Sequence, residues 1–91
     1  MSLQGYKGWV CLHEASYEGY PAIVILLLAA GANVDKQDND GWTPLMEAAN
    51  NGKIEVVKEL LKAGANKKLK DKWGKTAYDY TSKEEIKALL R

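Results

Sequence analysis

Two stretches of the chain carry the same order of small, apolar and charged positions. In the second, Leu45, Ala48 and Ala49 stand at i, i+3, i+4 spacing and predict a short helix. Thr43 before it can cap the first turn, and Pro44 suits the first helical position, where its missing N–H costs nothing. Asn51–Gly52 breaks that helix. Ile54, Val57, Leu60 and Leu61 then line one side of a second helix, about Ile54 to Lys62. Gly64 follows where a left-handed residue closes a helix. The first stretch does the same with Gly19, a Pro21 start and Gly31.

The two stretches are in fixed register. Gly8, Gly41 and Gly74 are spaced 33 apart, and laying residues 8–40 over 41–73 matches 14 of 33 positions. The matches include Trp9/Trp42, Glu14/Glu47, Leu27/Leu60, Gly31/Gly64 and Asp38/Asp71. A third, shorter copy, DKWGKTAYDYTSKEEIKALLR, begins again at Asp71. In it, Ser82 with Glu85 three residues on matches a capping box opening a last helix over Lys83 to Leu90. None of these helices exceeds about ten residues, which is marginal for an isolated helix in water. Stability must come from stacking one unit on the next, as in a solenoid.

The segment DNDGWTPLMEAANNGKIEVVKELLKAGAN resembles an ankyrin repeat, and the 33-residue period agrees. The resemblance covers about residues 5–91. It implies an all-α solenoid of about two and a half helix-turn-helix repeats with projecting loops, forming one domain over 1–91. The units run from about 5–37, 38–70 and 71–91, the last a C-terminal cap. The resemblance also implies protein binding through loop tips and the concave face of the first helices, with no chemistry of its own.

The chain departs from that family's pattern in two places. The Thr-Pro-Leu-His tetrad becomes Thr43-Pro44-Leu45-Met46 in one repeat and Val10-Cys11-Leu12-His13 in the other. The resemblance implies that Thr and His tie this turn together, and neither repeat keeps both. Val10 cannot cap, which typically costs ~1 kcal/mol, so repeat 1 is expected to be the softer. His13 is expected to fill the family's structural histidine position.

The second departure bears on function. The outer side of the second helix of repeat 2 carries Glu55, Lys58, Glu59 and Lys62, whereas repeat 1 has Ala22, Ile25, Leu26 and Ala29 at the same positions. Tyr17, Tyr20 and Pro21 adjoin them. A contiguous apolar patch of this kind marks an interface. The competing reading is core left over from an upstream repeat, but stacking residues should face along the solenoid and not outward. Aromatic residues add to the candidate surface. Tyr6, Trp9, Trp42 and Trp73 fall at or near successive loop tips, and Trp and Tyr dominate binding hot spots. The partner-binding set is therefore Tyr6, Trp9, Tyr17, Tyr20, Pro21, Ala22, Ile25, Ala29, Trp42 and Trp73. For Trp42, flanked by two repeats, packing on a neighbour is an equal alternative.

Composition narrows the rest. Thirteen Lys+Arg against twelve Asp+Glu leave a net charge of +1, so no bulk field points to nucleic acid or an anionic membrane. The longest apolar run, Pro21 to Ala32, is 12 residues, short of the ~20 that a bilayer span requires. With a single cysteine and no signal-peptide pattern, the expectation is a reduced, soluble, intracellular-type chain. The charge is uneven, however: residues 67–91 hold a net +4. Lys67, Lys68, Lys70, Lys72 and Lys75 crowd around Trp73, an arrangement that can hold single-stranded nucleic acid, and nucleic-acid or anionic-surface binding through Lys67–Lys75 stands as the alternative function. The Asp35–Asp40 loop can complement that lysine loop in a neighbouring molecule.

Candidate chemistry is sparse. Cys11 and His13 point about 200° apart on one helix and do not converge as a nucleophile and base. One Cys and one His cannot complete a zinc site. Glu14 and Glu47 occupy equivalent positions and are expected to line the groove as solvated or ligand-contacting groups. There is no phosphate-binding glycine motif. The expectation is a non-enzymatic module without cofactor, metal or small-molecule substrate. It binds a protein partner or a second copy of itself. So short a chain with one face stripped of charge also reads as an excised or engineered piece.

Overall fold

The computed structural model describes residues 11–91. Among these residues five α-helices form: α1 (Cys11–Glu18), α2 (Pro21–Ala29), α3 (Pro44–Asn50), α4 (Ile54–Lys62) and α5 (Glu84–Leu90). A 3-10 turn, Ala77–Tyr80, stands where the third unit's first helix would be. No strand occurs among the described residues.

Local chemistry sets the ends. Thr43 is extended and its Oγ1 accepts from Met46 N at 3.2 Å, with Pro44 at the first helical position. Beyond α4, Gly64 adopts φ +92, with Gly64 N donating to Leu61 O and Ala65 N to Leu60 O, both at 3.0 Å. That pair of bonds satisfies the last carbonyls in a Schellman closure, and only glycine enters it without strain.

The last helix departs from expectation. It begins at Glu84 with Lys83 as its cap residue, so the Ser82–Glu85 box is out of register by one and does not form. No side chain caps it; Thr81 Oγ1 accepts from Lys83 N at 3.1 Å just ahead of the helix. A reciprocal arrangement appears one element earlier, where Asp79 Oδ2 accepts from Thr76 N at 2.9 Å.

The helices stack in two layers. α1, α3 and the 3-10 turn pack in series as the inner layer, and α2, α4 and α5 as the outer. The core lies between the layers and between the units. Leu12, Val24, Leu45, Met46, Ala48, Val56, Val57, Leu60 and Ile86 are buried in it. The loops that project between units are built on a repeated aspartate. Asp38 Oδ1 accepts from Asp40 N and Trp42 N, and Asp71 Oδ1 accepts from Trp73 N and Lys75 N, all at 2.9 Å. Gly41, at φ +81, lies against the next of these loops: a Cβ there would stand 3.0 Å from Asp71 Cα.

Candidate functional site

Each repeat presents the same positions to its upstream neighbour, and the two repeats fare differently. In repeat 2, Val56 and Leu60 are wholly buried, with α2 and α1 packed against their unit. The equivalent residues of repeat 1 are Ile23, 45% exposed, and Leu27, half-buried. With Cys11, Glu14, Ala15 and Tyr20 they line an apolar groove of about 160 Å³ at the upstream end of the stack.

This groove continues around α2 onto its outer side. Ala22, Ile25, Leu26 and Ala29 are all exposed, Ile25 by 46% and Leu26 by 68%. At ~100° per residue, the arc from Ile23 through Leu26 to Ile25 spans about 160° of the helix. On α4 the same outer positions form the charged pairs Lys58–Glu55, at 4.0 Å, and Lys62–Glu59, at 3.7 Å. α2 has no charged residue, and only Val24 among its side chains is fully buried. Tyr17 and Tyr20, 43% and 51% exposed, extend the surface beyond the helix start, where half-buried Pro21 sits.

The structure thus places Pro21, Ala22, Ile25 and Ala29 on α2 together with Ile23 and Leu26, with Tyr20 in the groove beside Ile23; Tyr17 is exposed on α1. Ile23 escapes notice in the sequence because its counterpart Val56 is equally apolar; only the absence of a covering unit among the described residues distinguishes them. Tyr6, Trp9 and Val10 lie outside the described residues.

Trp42 and Trp73 are placed elsewhere. Trp42 ties the units together: its ring packs on Tyr80 with centroids 4.5 Å apart, and its Nε1 donates to Asp71 Oδ2 at 3.1 Å. Its carbonyl accepts from His13 Nε2 at 2.9 Å. With its N–H and one ring face engaged inside the stack, it takes the packing alternative. Trp73 is exposed on the third unit's loop, where the Lys72 ammonium sits 4.8 Å from its ring centroid.

The buried polar groups belong to the unit boundaries. His13 is fully buried, and that burial holds its pKa below the usual value against the opposing pull of the Trp42 carbonyl. Cys11 is only partly buried, so the two side chains face different surroundings. Glu47 corrects an expectation. It is buried, not solvated, while its equivalent Glu14 at the end of the stack is exposed. Burial, with Asp38 adding to it, pushes the Glu47 carboxyl up to about 8. Burial works against ionised Asp71 too, but hydrogen bonds from Tyr80, Lys75, Trp73 and Trp42 hold its carboxyl below the usual range. Burial and that same Asp71 push the Tyr80 phenol up to about 12.

The charged loops engage one another within the chain. Lys72 Nζ pairs with Asp40 Oδ1 at 2.9 Å, and Asp35 Oδ1 accepts from Asn66 N at 2.9 Å. The acidic loop therefore complements the lysine loop of its own molecule. Lys67 Nζ donates to Arg91 O, and Lys75 lies 5.8 Å from the Tyr80 ring centroid. Of the five clustered lysines, Lys68 and Lys70 remain as exposed side chains outside these contacts.

Among the described residues no cluster of three His, Cys, Asp or Glu side chains is assembled that could hold a metal ion. Among them, too, no helix is long and apolar enough to cross a membrane. A family profile described as ankyrin repeats, in three copies, matches residues 7–90. A search of the curated proteins finds no significant match.

Proposed function

Because the chain belongs to the ankyrin-repeat family, whose repeats are generally protein–protein interaction modules, we propose that it is a protein-binding module that docks through the uncharged face of α2. The reading rests on one observation. Where repeat 2 has four charges on its outer helix, repeat 1 has Ala22, Ile25, Leu26 and Ala29, and all four are exposed. Water penalises such a surface by roughly 25 cal/mol for each Å² of apolar area left uncovered. An uncharged helix flanked by Tyr17 and Tyr20 suits the centre of an interface, where charge is depleted and aromatic residues are enriched. The partner is a polypeptide with an apolar, shape-matched surface. Tyr6 and Trp9, next to the same end of the chain, supply further contacts.

Capture experiments with the whole chain test this. Proteins retained by the wild type should be released by Ile25→Glu, with unchanged far-UV circular dichroism. Lys58→Glu, at the equivalent position of α4, should retain them. Equal capture by Ile25→Glu and wild type would refute the reading, and loss of the helical spectrum would show that Ile25 is core.

A further inference from the structure

We propose that the polypeptide covering this face is a second copy of the chain, in a closed two-fold pair with α2 against α2. The proposal rests on the reading above and names its partner.

Three observations carry it. First, the face continues an interface the molecule already makes. Glu14, Ala15, Ile23 and Leu27 correspond to Glu47, Ala48, Val56 and Leu60, all four of which are buried within the stack. Repeat 1 presents a surface of the kind that helices of this same sequence already cover.

Second, the copy has one large apolar surface to offer in return. Of the six exposed large hydrophobic residues among those described, Ile23, Ile25 and Leu26 lie on α2 and Tyr20 lines the groove beside Ile23, while Tyr17 lies on α1 and Trp73 on the third unit's loop. A head-to-tail contact would seat α2 on the downstream end. That end exposes Ser82, Lys83, Glu84, Glu85 and Arg91, with Glu84 paired to Lys87 and Arg91. Patch must therefore meet patch. A contact in which each surface meets its own copy is isologous and closes at two.

Third, electrostatics permits the approach. α2 brings no like charges across a two-fold axis. The charges that border the arc lie at its two edges, Glu14 beside Ile23 and the Glu59–Lys62 pair beside Ile25. The axis consequently passes near Leu26, the most exposed large hydrophobic residue between them. Glu14 and the Glu59–Lys62 pair then fall at a solvated rim.

Sedimentation equilibrium of the whole chain, from micromolar to near-millimolar concentration, tests this. The weight-average mass should rise from 10.1 kDa to twice that value and stop. Leu26→Glu and Ile23→Glu, whose parent residues are solvent-exposed and whose folding circular dichroism can check, should each raise the dissociation constant by about 100-fold or more. Lys58→Glu should leave it unchanged. A constant 10.1 kDa at every concentration overturns the proposal, and so does growth beyond a dimer or a dimer that survives both charges. A monomer that still captures other proteins through Ile25 overturns the pairing while leaving the binding role intact. A monomer whose capture ignores Ile25 overturns both.

Discussion

Replacing Glu47 by Gln removes an ionisable group that α3 holds at a boundary between repeats. Its carboxyl titrates in the folded chain at about 8, against an ordinary value of 4.5, because burial disfavours the charged form and Asp38 adds repulsion. The folded state thus keeps a proton that the unfolded chain has already released. Over that window the native state binds more protons, so stability falls as pH rises, by about 1.4 kcal/mol per pH unit. The contribution is fully present below pH ~4.5 and gone above pH ~8. Between pH 6 and 8 the loss is about 2 kcal/mol, since the slope flattens as pH nears the folded value. That is a large share of the ~5–13 kcal/mol expected of a domain this size. His13 acts oppositely. Its pKa is lowered by burial, so its contribution is present above the unfolded value near 6.5 and lost as pH falls through its folded value. From about pH 6.5 down to the folded value of His13 the two slopes oppose each other, so the uncompensated decline lies on the alkaline side. Urea titrations followed by circular dichroism at pH 6 and pH 8 read this directly. With a slope near 1 kcal/mol per molar urea, the wild-type midpoint should drop by about 2 M, and Glu47→Gln should largely abolish the drop. Parallel pH profiles for wild type and Glu47→Gln would refute the reasoning.

Two further outcomes follow from the contacts between units. Tyr80→Phe removes the hydroxyl that donates to Asp71 and should cost about 1–2 kcal/mol in thermal or urea unfolding, while an unchanged midpoint would show the Asp71 cluster to be idle. Gly41→Ala imposes a left-handed φ of +81 on a residue with a Cβ and presses it to 3.0 Å from Asp71 Cα, so it should lower stability by at least ~1 kcal/mol, more than Gly31→Ala, where φ is +93 but no atom stands within 4 Å.

The solenoid was legible because its signals are local and repeated. The 33-residue register, the Thr43–Pro44 start and the Gly64 stop each act within a turn of helix, and each recurs in the structure as read. The outer face of α2 was legible for a related reason: repeat 2 acts as an internal standard against which four missing charges stand out. What could not be read depends on what sits beside a residue in space. Glu14 and Glu47 are the same amino acid in the same register, yet one is exposed and the other buried. Their difference is a property of the end of a stack and leaves no mark on the residue itself. Ile23 was passed over for the same reason. The last helix was misjudged by a single residue: it starts one position later, behind Lys83, a cap residue whose side chain makes no capping bond. Trp42 could be weighed only evenly until Tyr80 and Asp71 were seen to enclose it.

The central claim is that the apolar arc of α2 is covered by another polypeptide. Methyl NMR reports it side chain by side chain. On raising the concentration of the chain, or on adding a captured partner, the methyl signals of Ile23, Ile25 and Leu26 should shift or broaden together. Those of Val56, Val57 and Leu60, already buried inside the stack, should stay in place. Stationary signals from the three α2 residues in a sample shown to be associated would place the interface elsewhere and contradict the account.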